Sequence, residues 1–297
     1  MKKYYFSRTI LVIFIFLTTA TFSLAATSPN LATSISFSIL SSTYTNTTVG
    51  TTLNGDLGYS TGPATSPTIN GTTHNADSTY TQAGIDQGTA LTALNSQPCS
   101  FTFAPGAIDL ASDSTHGTIG VYAPGVYCIA GAASVGGGGT ITLNGTGSYI
   151  FRMTGALNTS ASSIVTLSGA ASCDIWWTPN AATTLGANST FKGTVIDPSG
   201  ITVGSTVNWS GRALAFGGTV STTSDTITVP TCTSPTLSPT PSPYTSTTSI
   251  STTPIKTTPK IATLADTGNN ITSNIVAGSL LITTLVLIHS KRKKIQK

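Results

Sequence analysis

The sequence predicts an all-β domain built as a solenoid of stacked coils, with one α-helix. Thr and Ser (58 and 37 residues) make up about a third of the 297 residues, and Val, Ile and Gly are also frequent, as is typical of strands joined by tight turns. After Gly120, short apolar segments alternate with small polar residues, as in repeat architectures. Charged residues are 7% of the chain, far below the roughly 25% of an average domain, which excludes long helices with charged outer surfaces.

Residues 1–25 have the features of a secretory signal peptide. Lys2, Lys3 and Arg8 precede the apolar run 10–17, and residues 23–26 place small side chains at the positions that a signal peptidase requires. The alternative is an uncleaved membrane anchor. We expect export, so that the protein is extracellular.

Residues 264–297 form a second targeting segment. The pentapeptide LADTG (264–268) precedes an apolar stretch (271–288) and the basic tail 291–294. This order resembles a bacterial sortase cell-wall sorting signal, although Ala265 stands where the common form has Pro. The resemblance implies cleavage after Thr267 and attachment of its carboxyl group to the cell envelope. The alternative is a retained membrane helix, since the apolar stretch is just long enough to span a bilayer.

Between these signals lie a domain (26–232) and a stalk (233–263). The stalk is dense in Thr, Ser and Pro and has no apolar periodicity. At ~3.1 Å per residue it would reach on the order of 90 Å when extended. We expect it to hold the domain clear of the cell surface.

The net charge of +4 arises from the two ends of the chain. Residues 1–8 carry three Lys or Arg and residues 291–297 carry five, whereas residues 9–290 carry five basic and nine acidic residues. The central part of the chain is therefore weakly acidic, which excludes a nucleic-acid partner.

The four cysteines predict two disulfides, because the chain is exported and their number is even. Three pairings are possible, and the pairs Cys99–Cys128 and Cys173–Cys232 close the shortest loops. A metal site is the weaker interpretation, since no C-x-x-C spacing or neighbouring His supports it.

One helix is predicted over residues 75–96, where Pro is absent. Asn75 or Asp77 would cap its start, and Pro98 lies just beyond its end. The apolar residues at mostly helical spacing are Ala76, Tyr80, Ala83, Leu91 and Leu94.

Four apolar anchors, Leu157, Leu185, Val203 and Val220, are separated by 28, 18 and 17 residues, which fits coils of irregular length. Small residues at fixed offsets from these anchors are expected to point outward and to form a flat surface, with Asp225 as its one charge. The candidate residues are Thr159, Ser162, Thr184, Thr190, Thr202, Ser205, Asn208, Thr219 and Thr222. Trp176 and Trp177 are expected in the core or on opposite sides of one strand.

Catalysis is not expected. The domain has two histidines, His74 and His116, and its Asp residues are scattered, with Asp109 and Asp113 as the closest pair. Neither paired carboxylates in a cleft nor a G-x-S-x-G motif is evident, so we predict no enzyme activity, no cofactor and no metal.

An uncharged Thr/Ser surface combines methyl groups with hydroxyls that can hydrogen-bond ordered water. Such a surface could adhere to ice, but Thr and Ser could also simply suit exposed strand positions. Several sequence blocks resemble, in order, the microbial ice-binding protein family. They are NGDLG (54–58), GTTHNAD (71–77), PGVYC (124–128), YIFR (149–152), CDIWW (173–177), FKG (191–193) and GRALA (211–215).

The resemblance implies a discontinuous, right-handed β-solenoid of triangular section with one long helix packed alongside. It also implies a monomer that binds an ice crystal through one flat surface, with no cofactor. The family's T-A/G-x-T/N pattern is matched only loosely here. The rival hypothesis is a surface adhesin for glycans or a host partner, which would need exposed aromatic residues such as Trp209 and Tyr59.

Overall fold

The computed structural model describes residues 25–231. The predicted signal peptide, Cys232, the stalk and the sorting signal with its apolar stretch 271–288 lie outside the described residues. Residues 25–231 contain no helix that is both long and apolar enough to cross a membrane.

The described residues form one α-helix, eighteen strands and two short 3-10 helices (Ala32–Ser36 and Ser172–Asp174). The elements are β1 (Phe37–Asn46), β2 (Thr52–Asn54), β3 (Asp56–Tyr59), β4 (Thr68–Ile69), β5 (Thr73–Asn75), α1 (Ser78–Asn95), β6 (Phe101–Thr102), β7 (Ile108–Asp109), β8 (Val121–Tyr122), β9 (Gly125–Ile129), β10 (Ala133–Val135), β11 (Thr140–Asn144), β12 (Tyr149–Thr159), β13 (Ile164–Ser168), β14 (Ile175–Leu185), β15 (Thr190–Ile196), β16 (Ile201–Val203), β17 (Asn208–Thr222) and β18 (Thr226–Thr228). The prediction of an all-β fold with one α-helix is confirmed.

The strands pair in parallel with the strands of neighbouring coils and form three ladders. Ladder A runs β6–β9–β12–β14–β15–β17–β1–β3–β5. Ladder B runs β7–β10–β12–β14–β16–β17–β1. Ladder C runs β8–β11–β13–β15–β17–β18–β2–β4. The longer strands turn corners and so contribute to more than one ladder. The right-handed winding and the triangular section stay predictions.

The coils do not stack in chain order. Strand β1 lies between β17 and β3, so that the last long strand of the domain stacks on the first. The coil that follows α1 begins at the opposite end of ladder A, with β6. The chain must therefore return along the stack between β5 and β6, and α1 lies in this connection. Its 18 residues rise about 27 Å, which equals five to six strand spacings of 4.7–4.9 Å.

Helix α1 begins later than predicted because residues Thr73–Asn75 are paired as β5. Asp77 is the N-cap residue, and its carboxylate accepts the N–H of Tyr80 at 2.8 Å. Gly84 lies on the buried side of α1, where a Cβ atom would come within 2.4 Å of the Phe216 ring. The helix can therefore approach ladder A closely because this residue has no side chain.

Ladder A is apolar on both sides because α1 covers its outward side. Ile150, Trp176 and Leu214 point outward into the cluster formed with the helix, whereas Phe151 and Trp177 point into the solenoid core. Trp176 and Trp177 thus lie on opposite sides of β14, which is one of the two arrangements predicted for them. Inside the core, aromatic rings of successive coils contact one another, with centroids of Phe151 and Trp177 4.3 Å apart.

Cys99 and Cys128 form a disulfide that ties the segment after α1 to β9. Cys173 is also disulfide-bonded. Its predicted partner, Cys232, lies outside the described residues.

Candidate functional site

The outward side of ladder B carries a column of small polar residues, one from each successive strand. The register pairs Ser134 with Asn158, Asn158 with Thr184, Thr184 with Thr202, Thr202 with Ser221 and Ser221 with Thr45. We call these six residues the B column. Its members repeat at the strand spacing of about 4.7–4.9 Å. Asn158, Thr184 and Thr202 are exposed, and the other three are partly exposed.

The predicted candidates are divided among different surfaces. Thr184 and Thr202 are in the B column, and Thr219 is an exposed residue on the same side of ladder B, where it pairs with Thr43. Thr190 and Asn208 lie instead on ladder C, paired with each other. Ser162 and Ser205 are exposed in the turns between ladders B and C. The prediction of one surface for the whole set is therefore wrong.

Two candidates are buried and cannot contact ice. Thr159 is 6% exposed and accepts the N–H of Gly186 at 2.8 Å, and Thr222 is fully buried and shares a 2.8 Å hydrogen bond with the Tyr44 hydroxyl. Each lies two residues after an inward anchor, Leu157 or Val220, and side chains two apart on a strand point to the same side. Their prediction as outward residues is wrong for that reason.

Asp225, the charge expected on the surface, is also fully buried. It lies in the turn between ladders B and C and accepts the N–H groups of Val207 and Thr223 at 2.9 and 2.6 Å. Burial raises the pKa of the Asp225 carboxyl to about 6. Asp197 has a similar role at the other corner of ladder B, where it accepts the Thr183 hydroxyl at 2.6 Å, and burial raises the pKa of its carboxyl too.

Offsets counted from the four apolar anchors did not identify the outward residues correctly, because the anchors occupy two different inward columns. In the strand register, Leu157 lies in the same column as Val220. Leu185 and Val203 lie in a second inward column, two residues further along the strands. Equal offsets from the four anchors therefore do not reach equivalent positions. The B-column members Asn158 and Ser221 were missed for this reason.

Thr43 and Thr45 were missed because β1 joins ladder B out of chain order. A signal for them exists in the sequence: Thr43-Tyr44-Thr45-Asn46 alternates between polar outward and buried residues, as a strand with one exposed side does.

Charge is nearly absent from the outward side of ladder B in residues 25–231. Asp109 is paired with Ser134 at the terminal strand, where its carboxylate is occupied by the N–H groups of Ala111 and Gly136 at 3.1 and 2.9 Å. Ladder C, in contrast, carries Lys192 on β15. Since α1 covers ladder A and Lys192 lies on ladder C, we take the outward side of ladder B, which is exposed and carries little charge, as the candidate surface.

The two histidines have structural partners. His74 contacts Asp77 at 2.8 Å at the start of α1. The His116 side chain is buried, with Nδ1 2.6 Å from Asp113 and Nε2 3.0 Å from the Val121 carbonyl oxygen, and its ring stacks on Tyr122. The described residues contain no group of three or more side chains placed to hold a metal ion.

Neither of the two aromatic residues expected of an adhesin is fully exposed. Trp209 is fully buried, and its indole N–H donates to the Gly193 carbonyl at 2.8 Å. Tyr59 is partly buried and packs against the solenoid core. The expectation that Trp209 is an exposed platform is wrong, since its strand β17 directs it inward.

Comparisons with known proteins agree with this architecture. A curated ice-binding protein of Flavobacterium frigoris (strain PS1) is 32% identical over 117 residues, which are 38% of this chain and 42% of that protein, so the match spans less than half of the relative. The crystal structure of an ice-binding protein from an Antarctic biological consortium has a TM-score of 0.62 and 27% identity, covering 70% of this chain and 94% of the other. That of the ice-binding protein from the Antarctic ascomycete Antarctomyces psychrotrophicus has a TM-score of 0.57 and 27% identity, covering 69% and 100%.

The family model described as Ice-binding-like matches residues 26–228, and the chain belongs to this family.

Proposed function

We propose that the domain binds ice through the outward side of ladder B, and so inhibits ice growth and recrystallisation. The observation that carries this proposal is the B column: six in-register hydroxyl or amide side chains, of which Thr184 and Thr202 are the central exposed pair. Relatives named as ice-binding proteins support the same activity.

The chemistry of the column suits contact with ordered water. Each Thr offers a methyl group, which gains by leaving liquid water, beside a hydroxyl that can hydrogen-bond to a water molecule held in a lattice. Ionised groups would instead keep a strongly bound hydration shell, and the B column has none.

The surface is also rigid before contact. Every strand of ladder B is hydrogen-bonded to its neighbours, and the β-branched Thr side chains have restricted χ1 angles. Thr45 further donates its hydroxyl to Ser221 on the adjacent strand at 2.7 Å. Little side-chain freedom is therefore lost on adsorption, which favours binding to a solid of fixed repeat.

Adsorbed molecules would pin the ice front, which must then bulge between them. A curved front melts more readily than a flat one, so growth stops over a range of temperature below the melting point. This thermal hysteresis is the quantity that tests the proposal.

The experiment uses the purified fragment 26–232, which includes all eighteen described strands, α1 and both hydrophobic clusters. The unmutated fragment should show thermal hysteresis and inhibit recrystallisation. Thr184→Tyr and Thr202→Tyr should each remove most of this activity, because a bulky ring in the middle of the column separates its neighbours from the ice.

The matched control is Thr89→Tyr, the same change at an exposed position on α1. It should leave the hysteresis unchanged. No activity in the unmutated fragment would refute ice binding. Activity that survives both ladder B substitutions would instead show that another surface binds.

We further propose that the exported protein is tethered to the cell envelope through Thr267, with residues 233–263 as a stalk. The order of pentapeptide, apolar stretch and basic tail supports covalent attachment by a sortase. Thr267→Ala should move the protein from the cell-wall fraction to the membrane or the medium. An unchanged distribution would favour a retained membrane helix at 271–288. On its stalk, the domain could also attach the cell to ice.

A further inference from the structure

A groove lies where the C-terminal end of α1 meets the corner between ladders A and B. We call it the corner groove. Its volume is about 260 Å³, somewhat less than the roughly 300–1,000 Å³ of sites for drug-sized ligands, so it fits a smaller molecule. The polar side chains that line it include Asn95 of α1, Thr102 of β6, Arg152 and Thr154 of β12, and Asn180 of β14.

The strand pairing is irregular at this corner. Two residues of β12, Thr154 and Gly155, stand opposite the single residue Asn180 of β14. Such a bulge bends the strand and interrupts the ladder, and bulges are frequent next to active sites. The side chains of Thr154 and Asn180 are exposed and make no hydrogen bond within residues 25–231, so both can contact a ligand.

Arg152 gives the corner groove one positive charge that no ion pair neutralises. Its guanidinium donates to the carbonyl oxygens of Asn95 and Gln97 at the end of α1, and one of its nitrogens lies 3.0 Å from the Cys128 sulfur. No carboxylate of residues 25–231 pairs with it, and no residue that lines the groove is acidic. The carbonyl oxygens hold the guanidinium in place but carry only partial charges, so an anion can still bind it.

The groups around Arg152 can hydrogen-bond the uncharged part of a ligand. The side-chain oxygen of Asn95 accepts a hydroxyl of β14 at 3.4 Å, and its Nδ2 hydrogens have no acceptor within residues 25–231. The hydroxyls of Thr102 and Thr154 and the amide of Asn180 can both donate and accept. One cation balances one negative charge, so these groups suit a carboxylate with neighbouring hydroxyls better than a phosphate dianion.

We propose that the corner groove binds a small hydroxy-carboxylate, with the carboxylate against Arg152 and its hydroxyl groups against the Thr and Asn side chains. The site is separate from the B column. Thr154 and Asn180 lie four residues before the B-column members Asn158 and Thr184, which is about 13 Å along the strands. The inference therefore does not depend on ice binding, and it gives Arg152 a second role beside its contact with the end of α1.

The test is an NMR titration of the fragment 26–232 with sodium glucuronate, with glucose, acetate and inorganic phosphate as comparison ligands. Glucuronate should bind with a Kd on the order of 1 mM and shift the Arg152 Nε–H signal and the side-chain amide signals of Asn95 and Asn180. Glucose lacks the carboxylate and acetate lacks the hydroxyls, so each should bind about tenfold more weakly or less. Phosphate that binds as tightly as glucuronate would overturn the carboxylate assignment.

Asn180→Asp is the sharpest variant, because it adds a negative charge to the groove without changing a contact between Arg152 and α1. It should weaken glucuronate binding by about tenfold and leave the melting temperature unchanged. The matched control is Asn144→Asp, the same change at an exposed residue at the end of β11 and outside the groove, which should bind glucuronate as the unmutated fragment does. An unmutated fragment that binds no glucuronate, or equal binding by Asn180→Asp and Asn144→Asp, would overturn the inference and leave ice binding untouched.

Discussion

Asp225 makes the stability of the domain depend on pH. Its carboxylate is fully buried at the corner between ladders B and C, where it accepts two backbone N–H groups. Desolvation by burial raises the pKa of the carboxyl to about 6, although both hydrogen bonds oppose the shift. Since an unfolded Asp has a pKa of about 3.9, the folded chain takes up a proton at higher pH than the unfolded chain does.

The stabilising contribution of this proton follows directly. It is fully present below about pH 4 and is lost as the pH rises through about 6. A difference of about two pKa units corresponds to about 3 kcal/mol, of which roughly 2 kcal/mol should appear between about pH 7 and pH 4.5. In that interval the Asp225 contribution makes the folded state more stable as the solution becomes more acidic.

The assay is urea unfolding of the fragment 26–232 at these two pH values, with Asp225→Asn as the variant that cannot titrate. Subtracting the free energy of unfolding of the variant from that of the unmutated fragment cancels the contributions of the other titrating groups. These include Asp197, whose pKa is raised, and Asp77 and Asp86, whose pKa values are lowered. The difference in free energy of unfolding between the unmutated fragment and Asp225→Asn should change by about 2 kcal/mol between the two pH values, in favour of the unmutated fragment at the lower pH.

Asp225→Ala, which also lacks the titrating group, should give the same pH-dependent difference despite a different offset. A difference that is constant with pH, or that shifts the other way, would refute the reasoning. It would show that the two N–H groups keep the carboxylate ionised despite its burial.

Two further predictions concern the packing of α1 and the buried residue Thr159. Gly84→Ala should destabilise the domain by roughly 1–3 kcal/mol in urea unfolding, because its Cβ would clash with Phe216, whereas Gly88→Ala, with open space around it, should stabilise α1 by about 1 kcal/mol. Equal effects at both positions would contradict the packing argument. Thr159→Val should cost about 1–3 kcal/mol because the partly buried Gly186 N–H loses its acceptor, yet hysteresis per folded molecule should not change. A loss of hysteresis without loss of stability would restore Thr159 to the ice-contact surface.

The sequence predicted those elements whose signals are local. The start of α1 depends on Asp77, a capping residue recognisable by its type and position, and the observed helix Ser78–Asn95 lies within the predicted range 75–96. Trp176 and Trp177 were expected in the core or on opposite sides of one strand, and they lie on opposite sides of β14, one in the solenoid core and one in the cluster with α1.

Long-range stacking could not be read from the residues themselves. Nothing in the local pattern of β1 states that it pairs with β17, since that contact joins positions more than 170 residues apart, such as Ile39 and Ala213. The resemblance to a family supplied the discontinuous order, whereas the offsets from four anchors misplaced Thr159 and Thr222. Such errors follow from the period of two, because an even offset from an inward anchor leads to another inward position.

The position of charge is the feature that unites fold and proposed function. Solenoid corners need acceptors for backbone N–H groups, and in residues 25–231 buried Asp197 and Asp225 meet that need at the two corners of ladder B. Arg212 is likewise buried and donates to the Ile35 carbonyl oxygen at 2.8 Å, while Arg152 caps the end of α1 by donating to Gln97 at 2.8 Å. Each of these charges is placed where a carbonyl or an N–H group requires it, and none on the central strands of ladder B points outward. A low charge content alone would not produce this arrangement, so the uncharged surface is a property of where the ionisable residues lie.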